Sequence, residues 1–151
     1  MKILVVEDDE HKFRQVAEVL AQRLPQAQVI EAQSYRSGLG AAMAQHPDLV
    51  VLDMSLPTYD IGAGESGGRP KTFGGRFILR ELRRKGIQCK VIVVTQFPRF
   101  GEGDESMTLA ELDHELRAEF GAMYAGTIYY HPSQSDWRDE LWRAIQRALG
   151  K

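Results

Sequence analysis

Short apolar segments alternate along this chain with stretches of helical periodicity. Five segments are typical of β-strands: residues 3–6, 27–32, 48–53, 90–95 and 126–130. Three of them are apolar without alternation, as expected for strands that are covered on both faces. Strands that alternate with helices predict a parallel sheet with right-handed crossovers, and hence an α/β fold.

The helical stretches carry apolar residues every three or four positions, and several have recognisable ends. Asp9 is placed to cap the first helix, and Thr108 with Glu111 three residues later forms a capping-box pattern before the fourth. Gly86 directly follows the third helix, where glycine is favoured. The five apolar stripes are Phe13, Val16, Leu20 and Leu24; Tyr35, Leu39 and Met43; Phe77, Leu79 and Leu82; Leu109, Leu112, Leu116 and Phe120; and Trp137, Leu141, Ile145 and Leu149.

Composition limits the classes of protein to which this chain can belong. Its 151 residues predict one domain, residues 1–151, without a linker to a second. The 19 basic and 21 acidic residues give a net charge of -2, which argues against nucleic acid as a partner. The single cysteine suits a reducing compartment, and no apolar run approaches the ~20 residues that span a bilayer. We expect a cytoplasmic protein with no membrane partner.

A glycine-rich stretch, residues 60–72, contains two partial nucleotide-binding motifs. Its glycines match G-x-G-x-x-G, but that motif must directly follow a strand and open a helix, whereas the third strand ends near Asp53 and the next stripe begins near Arg76. Its end resembles a Walker A loop, but Pro70, which has no N–H, stands before Lys71 where that loop needs glycine. We therefore interpret the stretch as a glycine-rich insertion.

Polar residues end three of the predicted strands. Glu7 and Asp8 follow the first strand, Asp53 ends the third and Thr95 ends the fourth. Because functional sites of such sheets form at the carboxyl ends of the strands, we expect these side chains to lie together. Clustered carboxylates repel each other unless a cation joins them, and Mg²⁺ is the hard ion that fits such a cluster. Taken alone, Thr95 is equally explained as a β-branched strand residue.

In order and spacing, these segments resemble the receiver domain of bacterial two-component response regulators. The resemblance rests on KILVVEDDE at the start, on DLVVLDMSLP with its D-x-x-x-P motif, and on VIVVT at the fourth strand. It covers most of the chain. It implies a flavodoxin-like, doubly wound sheet of five parallel strands in the order 2-1-3-4-5.

The same resemblance implies a role for each site residue. Asp53 is the phosphoacceptor; Glu7 and Asp8 hold Mg²⁺ with Asp53 and the backbone carbonyl of Ser55, and Thr95 bonds a phosphoryl oxygen. A carboxylate can form an acyl phosphate in a transfer that needs little beyond alignment and charge neutralisation. The implied donor is a histidine kinase, a phosphotransfer protein or a small phosphodonor. The domain is then a signalling phosphoacceptor rather than an enzyme.

Four features depart from the family pattern. The lysine that follows the fifth strand in the family is His131 in this chain. Gln96 replaces a small residue after the threonine, and Ile128 stands at the aromatic switch position. Residues 58–75 and 97–106 are longer and richer in glycine than the family pattern, and we interpret them as inserted loops.

Two interpretations of function stay open. In the first, a phosphorylatable response regulator signals by contact with an unknown output protein, because no DNA-binding segment follows residue 151. In the second, an unphosphorylated receiver is a docking or dimerisation module, with a second copy of the chain as a candidate partner. The acidic set favours the first, whereas His131 and Gln96 favour the second. DNA binding by the basic third helix ranks low, because basic helix faces are commonly just solvated; its residues are Arg76, Arg80, Arg83, Arg84 and Lys85.

Two further expectations concern positive charge at the site. Residues 58–75 are expected to form a flap whose Lys71, or else Arg69, supplies the cation that His131 provides less reliably. If His131 contacts the phosphoryl group, lower pH favours the phosphorylated state, because an imidazole titrates near ~6.5 and a lysine near ~10.4. The alternative for His131 is a ring packed against Pro132.

Overall fold

The computed structural model describes residues 1–56, 74–96, 99–100 and 107–150. Its strands are β1 (Lys2–Val6), β2 (Gln28–Ala32), β3 (Leu49–Leu52), β4 (Lys90–Thr95), β5 (Arg99–Phe100), β6 (Met107–Thr108) and β7 (Tyr124–Tyr129). Its helices are α1 (Glu10–Arg23), α2 (Tyr35–Gln45), α3 (Gly74–Arg84), α4 (Leu109–Phe120) and α5 (Asp136–Leu149), and a 3₁₀ turn (Gly121–Met123) precedes β7.

Five strands form one parallel sheet in the order β2-β1-β3-β4-β7. When only these strands are counted the order is 2-1-3-4-5, so the predicted flavodoxin-like topology is confirmed. Val6 at the end of β1 lies opposite Ala32 of β2 and Leu52 of β3. The chain reverses its direction of winding between β1 and β3, and sheets of this type place their sites at the carboxyl ends of the strands beside such a switch point.

The helices cover both faces of the sheet. On one face, α1 and α5 pack against apolar side chains such as Ile3, Val51 and Ile92. On the other face, α2, α3 and α4 pack against side chains such as Leu4 and Val50. Two-sided burial explains why β1, β3 and β4 are apolar without alternation. Among the described helices, none combines the length and the apolar character needed to cross a membrane.

The predicted helix ends are present. The Asp9 side chain caps α1 by accepting from the backbone N–H of Lys12 over 3.1 Å. Thr108 and Glu111 form the capping box of α4. Gly86, with φ of 70°, takes the left-handed conformation after α3 that favours glycine.

The apolar stripe of α2 differs from the prediction. Met43 is 44% exposed, whereas Gly38 and Ala42 are buried. A Cβ on Gly38 would lie 2.8 Å from Val6 Cγ1, so α2 approaches β1 too closely for a larger residue there. Phe77 of α3, also predicted to face the core, is 40% exposed.

The two predicted insertions lie largely outside the described residues. Of residues 58–75, the structure describes Gly74 and Gly75, which are the first residues of α3 rather than a loop. Of residues 97–106, it describes Arg99–Phe100, which pairs as β5 with the antiparallel strand β6. Lys71 and Arg69, the predicted flap cations, lie outside the described part.

Candidate functional site

Three carboxylates meet at the carboxyl edge of the sheet. Glu7 and Asp8 directly follow β1, and Asp53 directly follows β3. One carboxylate oxygen from each lies within 4.8 Å of the other two. Glu7 and Asp53 are each 4% exposed, whereas Asp8 is open to solvent. The structure thus brings together the acidic residues that the sequence placed at strand ends, two of them buried and one accessible.

Backbone contacts fix Asp53 at the end of β3. Its N–H donates to the carbonyl oxygen of Val6 over 3.1 Å, which holds it beside the end of β1. Its Oδ1 accepts from the backbone N–H of Ser55 over 3.4 Å, so Ser55 stands at the same edge. A Cβ on Gly75 would lie 2.6 Å from the carbonyl oxygen of Asp53. The close approach of α3 to this strand end therefore requires glycine.

A buried lysine reaches into the cluster from α1. Lys12 is 1% exposed. Its Nζ lies 2.6 Å from Glu7 Oε2 and 3.6 Å from Asp53 Oδ2. The same ammonium donates to the carbonyl oxygen of Val94, the next-to-last residue of β4, over 2.7 Å. One side chain thus links the ends of β1, β3 and β4.

The cluster holds more carboxylates than positive charges. Desolvation raises the pKa of Glu7 to about 8, although the Lys12 ammonium opposes the shift. Desolvation also raises the pKa of Asp53; Lys12 opposes that shift and the charge of Asp8 adds to it. With all three carboxylates ionised, three negative charges face one ammonium, which leaves a net charge of -2. A divalent cation has the charge that balances this deficit.

Thr95 and His131 occupy different surroundings. Thr95 is fully buried at the end of β4, and its carbonyl oxygen accepts from the N–H of Tyr130 over 2.7 Å. His131 is half-buried, and its Nδ1 lies 2.9 Å from Ser133 Oγ. Within the described residues, no hydrogen bond or ion pair joins His131 to the three carboxylates.

The three residues before His131 differ in their exposure to solvent. Ile128, at the family's switch position, is buried in the core, whereas Tyr129 is 37% exposed. The ring of Tyr130 packs edge-on against Trp137 at 4.9 Å between centroids, and Lys12 Nζ lies 6.0 Å from the Tyr130 centroid. The Tyr130 ring is therefore in contact with Trp137 and near the Lys12 ammonium.

The basic face of α3 is paired within the chain. Arg76 and Arg80 donate to the Glu119 carboxylate of α4, and Arg83 donates to the Glu119 carbonyl oxygen over 2.6 Å. Arg84 pairs with Glu81 of its own helix at 2.7 Å. Much of the charge that suggested DNA contact is thus engaged in joining α3 to α4.

Helical periodicity could have revealed Lys12. It lies four positions before Val16 and eight before Leu20, on the buried face of α1. A charged residue at a core-facing position needs a partner, and the strand-end acids were the available partners. The sequence interpretation took Phe13 as the start of this stripe and so passed over its neighbour.

Fold and site together define a response-regulator receiver domain. A solved receiver domain of a sensor histidine kinase from Pseudomonas aeruginosa PAO1, described with a magnesium ion coordinated in its active site cleft, superposes with a TM-score of 0.65 at 20% identity. The match covers 99% of this chain and 98% of the neighbour. The chain belongs to the receiver-domain family of two-component response regulators.

Two relatives match almost end to end. The uncharacterized protein y4jR of Sinorhizobium fredii (strain NBRC 101917 / NGR234) is 32% identical over 146 residues, covering 95% of this chain and 96% of the relative. The Detocs response regulatory protein DtcB of Vibrio alginolyticus is 29% identical over 147 residues, covering 95% of this chain and 99% of the relative. No family model matches the chain.

Proposed function

We propose that this chain is a phosphorylatable receiver in which Asp53 accepts the phosphoryl group. The observation that carries the proposal is the position of Asp53, a buried carboxylate within 4.8 Å of Glu7 and Asp8 and 3.6 Å from an ammonium. Transfer to a carboxylate needs positive charge at the transferring oxygens. The donor is a histidine kinase or phosphotransfer protein, and the output is contact with another protein; the similarity to a response regulatory protein supports both.

The donor set fits Mg²⁺. Carboxylate oxygens are the hard ligands that this ion prefers, and the exposed Asp8 leaves an approach from solvent. Burial raises the pKa values of Glu7 and Asp53, and a bound cation would favour the ionised form of both carboxylates. Glu7, Asp8, Asp53 and the Ser55 carbonyl are the ligands we assign. When bound, Mg²⁺ neutralises charge on the transferring phosphoryl oxygens.

The transfer is a substitution at phosphorus. An oxygen of the Asp53 carboxylate attacks the phosphorus of a phosphohistidine and forms a P–O bond, while the P–N bond breaks and its electron pair returns to the imidazole. The imidazole nitrogen then takes a proton from solvent. Later attack of water on phosphorus releases inorganic phosphate and regenerates the carboxylate. We assign to Thr95, at the end of β4, a hydrogen bond to a phosphoryl oxygen in the phosphorylated state.

Intact-mass measurement with acetyl phosphate tests the assignment. We expect the wild type with Mg²⁺ to gain one phosphoryl group, and to gain none when EDTA removes the metal. Asp53→Asn is expected to gain none under either condition, because an amide is not a nucleophile here. Asp48→Asn is the matched control, since this exposed aspartate precedes β3 at the opposite edge of the sheet, and it is expected to behave as the wild type does.

Two results would contradict the proposal. A phosphoryl group that persists in Asp53→Asn would place the acceptor elsewhere. A wild type that gains no phosphoryl group from acetyl phosphate or from a phosphohistidine donor would favour the docking or dimerisation module instead.

A further inference from the structure

Lys12 is a buried charge that packing alone does not explain. It shares the buried face of α1 with Val16 and Leu20, where an apolar side chain would fill the same space. Taking an ammonium out of water is costly unless it meets partners of opposite charge, and apolar replacements of buried ion pairs are often at least as stable. The charged partners that Lys12 meets are Glu7 and Asp53. Its charge therefore belongs to the site rather than to the core.

The geometry of the Lys12 ammonium leaves one donor facing Asp53. A lysine carries three N–H donors. Glu7 Oε2 at 2.6 Å and the Val94 carbonyl oxygen at 2.7 Å accept two of them. Asp53 Oδ2, at 3.6 Å, lies just outside hydrogen-bond distance. The contact to Val94 anchors the ammonium to β4, so it is held in place beside Asp53 before any group arrives.

We propose that Lys12 is a catalytic residue that binds a phosphoryl oxygen on Asp53. This inference rests on the proposed function. Once Asp53 is phosphorylated, the negative charge moves from its carboxylate to the phosphoryl oxygens, and the third N–H of Lys12 donates to one of them as a charge-assisted hydrogen bond. By resemblance, the lysine after the fifth strand supplies this cation in the family. In this chain that position is His131, whose Nδ1 is bonded to Ser133.

A purely structural role for Lys12 leads to different expectations. If Lys12 only positioned Glu7, its loss would disturb the acidic cluster and weaken Mg²⁺ binding. If it binds the phosphoryl oxygen, its loss leaves Mg²⁺ binding intact or strengthens it, because one positive charge leaves the site. A lysine introduced at position 131 could replace a phosphoryl contact, but it could not hold Glu7 in its present place.

Beryllofluoride, a mimic of the phosphoryl group, is the probe for the main experiment, at saturating Mg²⁺. We expect Lys12→Met to lower the affinity for beryllofluoride about 10- to 100-fold, the worth of one charge-assisted hydrogen bond. The double variant Lys12→Met/His131→Lys is expected to return to within about tenfold of the wild type. Lys85→Met, at an exposed lysine beyond α3, is the matched control and is expected to match the wild type.

Titration with Mg²⁺ alone separates the two roles. The proposal expects Lys12→Met to bind Mg²⁺ at least as tightly as the wild type. Unchanged beryllofluoride affinity in Lys12→Met, or a loss that the double variant does not recover, would overturn the proposal. The proposal would also be overturned if Lys12→Met bound Mg²⁺ so weakly that this alone explained its whole loss of beryllofluoride affinity.

A crystal structure of the wild type with Mg²⁺ and beryllofluoride keeps the proposal testable even if Lys12→Met does not fold. Lys12 Nζ is expected within hydrogen-bond distance of a fluoride; an ammonium that turns away from it overturns the proposal. Asp53→Asn is measured alongside. If the wild type binds no beryllofluoride, the proposed function fails and this inference with it. If the wild type binds it and Lys12→Met binds it equally, only the role of Lys12 fails.

Discussion

Burial changes the acidity of the Cys89 thiol. It lies between α3 and β4 and packs against the apolar core. Burial raises the pKa of its thiol to about 11, so little thiolate is present near neutral pH. We expect iodoacetamide to modify Cys89 in the native protein at least ~10-fold more slowly than it modifies glutathione at the same pH, because the thiolate is the nucleophile and its greater basicity compensates only in part. Intact mass against time measures both rates.

Unfolding in urea provides the control for Cys89. The unfolded chain is expected to react at about the rate of glutathione, since the thiol is then solvated. A native rate equal to the unfolded rate would show that burial does not protect this thiol.

Individual site residues differ in how far the sequence reveals them. Glu7, Asp8 and Asp53 could be predicted to converge because each directly follows a strand, and parallel strands end at one edge. Lys12 does not follow a strand, so only its place on the buried face of α1 points to it, and its contact with β4 depends on the length of its side chain. His131 was expected to stand for the family's lysine, yet its Nδ1 bonds to Ser133; its pH effect stays a prediction.

Gly75 decides how closely α3 approaches the sheet. A Cβ there would overlap Leu52 Cδ1 and would lie 2.6 Å from the Asp53 carbonyl oxygen. We expect Gly75→Ala to lower the free energy of unfolding by about 1–3 kcal/mol, since either α3 or the end of β3 must move. Equilibrium unfolding in urea measures the change.

Gly40 of α2 is the matched control for Gly75. It is exposed, and nothing lies within 4 Å of an added Cβ. Gly40→Ala is expected to raise the free energy of unfolding by about 0.5–1 kcal/mol, because alanine favours helix over glycine. Equal effects of the two substitutions would show that contact at Gly75 does not limit the packing of α3.

The order and type of the elements follow from periodicity, but their packing faces do not. The apolar spacing in α2 predicted that Met43 faces the core, whereas Gly38 and Ala42 do so. Close approach of two backbones selects small residues, and a pattern that scores hydrophobicity alone does not detect that selection. Capping signals were more reliable, because each depends on one local hydrogen bond.

Across the whole molecule, Glu119 joins α3 and α4 over one face of the sheet. Its carboxylate accepts from Arg76 at 2.9 Å and from Arg80 at 2.9 Å. These contacts hold the pKa of Glu119 below its ordinary value. The hydrogen bond from Arg80 has the largest effect. A lowered folded-state pKa gives stability that is fully present above the unfolded pKa of ~4.3 and is lost as pH falls through the folded value.

We therefore expect Glu119→Gln to lower the free energy of unfolding at neutral pH by about 0.5–1 kcal/mol, within the range for partly exposed ion pairs. The difference from the wild type should shrink toward pH ~3, where the wild-type carboxylate also loses its charge. Glu115→Gln, which removes one pairing with Arg76, is expected to cost less. Urea unfolding across this pH range measures both. A deficit that stays constant with pH would show that charge is not its cause.

The topology of the whole domain was accessible from sequence, because the resemblance supplied the strand order that periodicity alone leaves open. The alternation of strands and helices limited the choice to a parallel sheet, and β2-β1-β3-β4-β7 is the order expected. The short antiparallel pair of β5 and β6 was not predicted, since two-residue strands carry no periodicity. The start of α3 at Gly74 was hidden by the glycine-rich composition around it.

The role proposed for Lys12 puts the cation that assists phosphoryl transfer near the start of the chain. In the family pattern the acids and the lysine come from opposite ends of the domain, whereas here Glu7 and Lys12 belong to one continuous segment. A survey that judges receivers by the residue after the last sheet strand would read His131 and discard this chain as inactive. Within the first twelve residues, Glu7 and Lys12 already form an ion pair at 2.6 Å. Related chains that lack the late lysine are therefore worth sorting by the residue at the third position of their first helix.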